Sequence, residues 1–118
     1  MSVISWGRQE RFKFSACGSL NEFMPAASAA VFAITYRKDP RNKPKAHTVL
    51  YFGETEDLSQ QLSSVKRRVM DIFADDGGTP DELYVFVHDM AGSTKPQRSR
   101  VQERLVLEYQ PQANHMNN

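Results

Sequence analysis

Val49-Leu50-Tyr51-Phe52-Gly53-Glu54-Thr55-Glu56-Asp57-Leu58 runs from a β-rich segment into a helix start. Val, Leu, Tyr and Phe crowd ahead of Gly53, which is strand composition closed by a turn signal. Asp57, or Thr55 before it, offers a side-chain oxygen to the first amides of a helix beginning near Leu58. Upstream, Ala30-Val31-Phe32-Ala33-Ile34-Thr35-Tyr36 is a second β-rich run. The two runs read as a hairpin, Val31–Tyr36 with His47–Phe52, and the rest of the chain is placed around it.

Arg37-Lys38-Asp39-Pro40-Arg41-Asn42-Lys43-Pro44-Lys45 separates the runs. Five of these nine residues are basic and one is acidic. Pro40 and Pro44 block regular strand pairing. The insert therefore reads as an exposed loop at the hairpin tip, either simply solvated or a set of phosphate contacts.

Beyond Asp57 the apolar residues Leu58, Leu62, Val65, Val69, Ile72 and Phe73 recur at helical spacing, with Lys66, Arg67 and Arg68 beside them. One long helix or two short ones fit this stripe. Asp75-Asp76-Gly77-Gly78-Thr79-Pro80 is a stop and a turn. Its two adjacent acids have no third ligand at useful spacing, so they read as a solvated loop rather than a metal site. Leu83-Tyr84-Val85-Phe86-Val87-His88 is apolar nearly throughout, which predicts a central strand covered on both faces. His88 at its end is either a surface polar residue or an acid–base or nucleic-acid contact. Ser93 or Thr94 can cap a last helix with Pro96 in its first turn, a stripe of Val101, Leu105, Val106 and Tyr109, and Pro111 as its end.

Residues 1–27 read as an N-terminal extension. Phe12 and Phe14 alternate around Lys13 as a short edge strand, and Ser19–Met24 suits a helical turn. Residues 28–118 are then the domain proper. The fold class expected is α+β: a small, mainly antiparallel three-stranded sheet with packed helices.

Composition narrows the function classes. A chain of 118 residues is one domain. Its formal charge of +1 supplies no global field toward DNA or acidic membranes. Cys17, the single cysteine, excludes an intramolecular disulfide and a cysteine-based zinc site, and reads as a small apolar residue. No apolar run has the length of a membrane span and the N-terminus lacks a signal-peptide pattern, so a cytoplasmic protein is expected.

These segments carry a resemblance to the GIY-YIG nuclease superfamily. Ala30-Val31-Phe32 sits where that family has G-I-Y, and Tyr51-Phe52-Gly53 where it has Y-I-G. Glu54-Thr55-Glu56-Asp57-Leu58 is similar to the usual continuation. Arg100-Val101-Gln102-Glu103-Arg104-Leu105-Val106-Leu107-Glu108-Tyr109-Gln110-Pro111-Gln112-Ala113-Asn114 resembles the family's last helix, which runs on to Pro-x-x-Asn. The resemblance spans about Ser28 to Asn114 and implies a GIY-YIG-like fold.

The resemblance also implies five site positions: two tyrosines flanking the phosphate, an arginine on the first helix, a metal-holding glutamate on the last, and an asparagine. They fall on Phe32, Tyr51, Gln61, Gln102 and Asn114. Phe32 keeps the ring without the hydroxyl, and both charged groups have become neutral amides. Loss of one preorganised electrostatic group commonly costs roughly 10²–10³ in rate, and Mg²⁺ prefers carboxylates as charged protein ligands. Cleavage is therefore not expected, and no cofactor is implied. The leading expectation is a catalytically degenerate domain that binds DNA or RNA weakly in the former nuclease groove. Arg37, Lys38, Arg41, Lys43, Lys45, Lys66, Arg67, Arg98 and Arg100 are candidate contacts, with Lys95 and Arg104 beside them. A protein–protein module on the same fold is the second expectation. The third is an active endonuclease using Mg²⁺ or Mn²⁺, with Glu103 as metal ligand after a one-residue shift of register. The oligomeric state is left open.

Overall fold

The computed structural model describes residues 3–20, 27–36, 48–75 and 83–115; the side chains of 61–64, 72–75, 112 and 115 fall outside that description. The elements run β1 (Val3–Trp6), β2 (Phe12–Ser19), β3 (Ala30–Tyr36), β4 (Thr48–Thr55), α1 (Leu58–Asp75), β5 (Leu83–Asp89), α2 (Lys95–Tyr109) and the single turn α3 (Gln112–His115). The insert 37–45, the Asp76–Pro80 turn and most of the expected Ser19–Met24 turn lie outside the described residues.

The strands form one antiparallel sheet in the order β1-β2-β5-β3-β4. The expected hairpin is β3 with β4, Ala33 opposite Phe52 and Tyr36 opposite Thr48. The expected central strand is β5, between β2 and β3, with Leu83, Val85 and Phe86 buried. The α+β class holds, but the sheet has five strands where the sequence predicted three. The two extra strands come from the stretch read as an extension. β2 is not an edge: it pairs with β1 on one side and β5 on the other. Val3-Ile4-Ser5-Trp6 is too short and mixed to stand out as a strand. Tertiary packing fixes it, because Trp6 meets Phe14, Phe52 and Phe86 edge-on at centroid distances of 5.1, 5.8 and 5.4 Å.

Helices cover both faces, so β3 is buried along nearly its whole length. On one face α1 lays Leu58, Val65 and Val69 against Phe32, Ile34, Leu50 and Val85. On the other α2 lays Val101 and Leu105 against Trp6, Phe14, Val31, Phe52 and Phe86. α1 is one continuous helix, capped by Asp57, whose carboxylate accepts from the Ser59 N–H at 3.0 Å. α2 opens with the Thr94–Gln97 capping box and Pro96 in its first turn. It closes at Gln110, whose left-handed backbone turns the chain into Pro111.

Gly53 is required for a packing reason. A Cβ there would fall onto the Phe32 ring from β3 and the Tyr51 ring from its own strand. Phe32 has no exposed surface and no room to retreat. Gly53→Ala is expected to destabilise the fold by about 1–3 kcal/mol, the usual cost of overpacking a core. Urea denaturation checks this. In a double-mutant cycle with Phe32→Leu, the pair should lose less than the sum of the two single changes; additive losses would mean the two sites do not touch.

Candidate functional site

The site grows from an irregularity in the β3–β4 ladder. Ile34 lies opposite Tyr51 and Thr35 opposite Val49, so Leu50 is an extra residue in β4. Such a bulge turns two successive side chains to one side of the strand. Leu50 and Tyr51 accordingly both pack on the α1 face. Tyr51 lies half-buried beside Phe32, ring centroids 6.0 Å apart.

Arg68 of α1 reaches this ring. Its guanidinium carbon stands 5.5 Å from the Tyr51 centroid, within cation–π range. Burial pushes the Tyr51 hydroxyl above its ordinary pKa; the charge of Arg68 and its hydrogen bond to the oxygen pull it back, and Glu54 adds a small upward push. The net shift is upward, so the hydroxyl stays protonated at neutral pH and serves as a donor rather than a base. Gln61, where the resemblance expects the arginine, lies two helical turns before Arg68 and so on the same side of α1. Its side chain is outside the described residues.

Gln102 and Asn114 meet on the neighbouring residue. β4 is an edge strand, and the Phe52 N–H and C=O point away from β3. The N–H donates to Asn114 Oδ1 at 2.8 Å, and the C=O accepts from Asn114 Nδ2 at 2.9 Å and from Gln102 Nε2 at 3.0 Å. The Asn114 amide thus completes the ladder as a strand would. α2 comes from one face, α3 turns around the edge, and Ala113 buries itself in the core of the opposite face. The four positions with described side chains therefore form two groups: Phe32 with Tyr51 on the α1 face, and Gln102 with Asn114 at the adjoining edge. Glu103 follows Gln102 on α2, is turned about 100° from it, and is exposed.

The candidate cations are divided. Lys66 is half-buried, and Arg67 and Arg68 are exposed on α1. Arg98 is held inside the fold: its Nε donates to Glu54 Oε2 at 3.1 Å and its Nη1 to the Ser93 carbonyl at 2.7 Å, with 3% of the residue exposed. A phosphate contact there would break a buried pair, which is costly. Lys95 joins the same carboxylate at 3.0 Å from the solvent side. Arg100 pairs with Glu10 and Arg104 with Glu108, both on α2 beside the β1–β2 turn. Arg37, Lys38, Arg41, Lys43 and Lys45 lie outside the described residues. Burial pushes the pKa of the half-buried Cys17 thiol up. Among the described residues, no three His, Cys, Asp or Glu side chains converge as a metal site.

Sequence reading missed the two features that shape the site. Arg68 was visible as one of three cations beside the stripe, and its place three residues after Val65 and one before Val69 puts it at the rim of the buried face. The Phe52 contacts had no signal, because a side-chain amide meeting a backbone edge depends on the sheet order. No protein-family model, curated protein or solved structure matches the chain.

The edge contacts give a pH-dependent test. In Gln102→Glu, an ionised carboxylate cannot donate to the Phe52 carbonyl and faces its lone pairs; only the protonated acid can donate. The introduced acid should thus have a folded-state pKa raised above its unfolded value of about 4.3. Its contribution is present below that unfolded value and lost as pH rises through the folded one. The variant should lose about 1–3 kcal/mol at neutral pH and recover part of it in acid, relative to wild type in paired urea titrations. Asn114→Ala, which strands the Phe52 N–H and leaves its C=O with Gln102 alone, should lose a similar amount without the recovery.

Proposed function

We propose that this chain is a GIY-YIG-like domain that no longer cleaves, and that it binds the phosphate backbone of nucleic acid through the Tyr51–Arg68 face. The observation that carries this reading is the Arg68 guanidinium lying against the Tyr51 ring and hydroxyl on an exposed basic turn of α1. A fixed guanidinium beside a neutral phenol offers several donors to one phosphate. The order of β3, β4, α1, β5 and α2 is the order that the resemblance implies. The basic insert joins β3 to β4, the strand that holds Tyr51.

Three features argue against cleavage. The buried Phe32 has no hydroxyl, and the Tyr51 hydroxyl is pushed toward its protonated form, so neither readily takes a proton from water. Gln102 is a neutral amide that donates its hydrogen to Phe52. Glu103, the other candidate ligand, stands exposed on the adjacent helical position. The near-neutral chain lacks a strong global field, which favours modest, salt-sensitive affinity.

Fluorescence anisotropy with a labelled DNA duplex tests the reading. Saturable binding should weaken as salt rises. Arg68→Gln should reduce affinity and lower the slope of log K against log salt by about the share of one phosphate contact. Absence of binding at low salt, or an Arg68→Gln slope equal to wild type, counts against the assignment. Incubation of plasmid DNA with Mg²⁺ or Mn²⁺ should leave it intact. EDTA-sensitive nicking that disappears in Glu103→Gln but persists in Gln102→Ala would instead reveal a working nuclease.

A further inference from the structure

On the opposite face of the sheet from Tyr51, a groove of about 550 Å³ opens between the end of β5, the β1–β2 turn and the first turns of α2. Phe12, Met90 and Val101 supply its apolar surface. His88 also lines it, and one ring nitrogen is already committed. Nδ1 lies 2.8 Å from the Lys13 carbonyl oxygen, which can only accept. The neutral ring therefore carries its proton on Nδ1 and presents Nε2 as an acceptor. Phe12 and Phe14 hold that ring in place, with centroids 5.6 and 5.5 Å away.

The charges of the groove are mixed. Arg100 is its cation, and Glu10 and Asp89 are its anions. One Asp89 oxygen accepts from the Ala91 N–H at 3.1 Å, and the other has no hydrogen-bond partner among the described residues. Arg100 meets Glu10 through a single exposed contact at 3.2 Å, a kind of pair that holds its partners weakly. An anionic ligand would gain Arg100 but face two carboxylates. A cationic ligand would gain the carboxylates and the His88 acceptor but face Arg100. A molecule carrying both charges satisfies both sides.

We infer that this groove binds a small zwitterion with an apolar body, of the α-amino acid class. Its carboxylate takes Arg100, its ammonium takes Asp89 and the open His88 nitrogen, and its side chain lies on Phe12, Met90 and Val101. This site goes beyond the nucleic-acid reading and uses none of its residues on α1, so the two stand or fall separately.

Titration of the ¹⁵N-labelled protein with L-phenylalanine, followed by amide shifts, tests the inference. Saturable shifts should centre on residues 88–93 and 97–101. Phenylacetate, which lacks the ammonium, and phenethylamine, which lacks the carboxylate, should each bind at least roughly ten-fold more weakly, the effect of one lost charge-assisted hydrogen bond. Arg100→Gln and Asp89→Asn, both at exposed positions, should weaken L-phenylalanine by a similar factor while leaving the rest of the spectrum in place. No saturable shift at millimolar L-phenylalanine, equal binding of either half-charged analogue, or indifference to both variants overturns it.

Discussion

The outer backbone of β4 is the constraint on which the arrangement depends. An edge strand leaves N–H and C=O groups without strand partners, and a buried one must find substitutes or lose free energy. At Phe52 the substitutes are side-chain amides from α2 and α3. That requirement fixes how far α2 extends along the sheet, why the chain turns at Gln110 and Pro111, and why Ala113 ends in the core of the far face. It also holds the strand on which Tyr51 sits. With its backbone pinned at Phe52, its inner side fitted to Phe32 through Gly53, and its bulge at Leu50, β4 has little freedom in where it aims the phenol.

A second tie stabilises the same strand at its end. Glu54 stands on β4 beyond Gly53 and receives Arg98 and Lys95 from the first turn of α2. The Arg98 pair is largely desolvated, and charge burial of this kind is only weak evidence of net stability. Its value here is positional. It sets the rotation of α2, and with it the presentation of Gln102 to the edge and of Arg100 to the opposite face. The β1–β2 turn is tied to the other end of the helix, where the Gly7 N–H donates to the Tyr109 hydroxyl at 2.9 Å and the Arg8 N–H to Glu108 at 2.7 Å.

What was legible in the sequence follows from range. The β3–β4 hairpin, the stripe of α1, the caps at Asp57 and Thr94 and the central β5 are written in local composition and period, and each was readable. β1 was not, because four mixed residues become a strand only when Trp6 finds Phe14, Phe52 and Phe86, which are distant in sequence. β2 was readable as a strand but not as an interior one, since strand order is a property of the whole sheet. The site divides in the same way. Tyr51 and Asn114 could be singled out by motif. Arg68 was visible only as one cation among three, and the burial of Arg98 depends on a carboxylate that lies 44 positions away.

The same physics bears on the amide at Gln102, where the resemblance places a charge. A metal-holding carboxylate must keep its oxygens open and tolerate the field of a cation. At Gln102 the nearest group is a backbone carbonyl that needs a donor. A carboxylate there would meet that carbonyl as a second acceptor and leave Phe52 dependent on Asn114 alone. The amide resolves this by giving hydrogen where an acid would withhold it. Stability of the edge and charge at this position are thus in direct competition, and the fold has settled it in favour of the edge. Arg68 meets no such conflict, because it projects from an exposed turn and touches Tyr51 from outside the core. A guanidinium can be kept there without straining the sheet, whereas a carboxylate at Gln102 would take a donor from the Phe52 carbonyl.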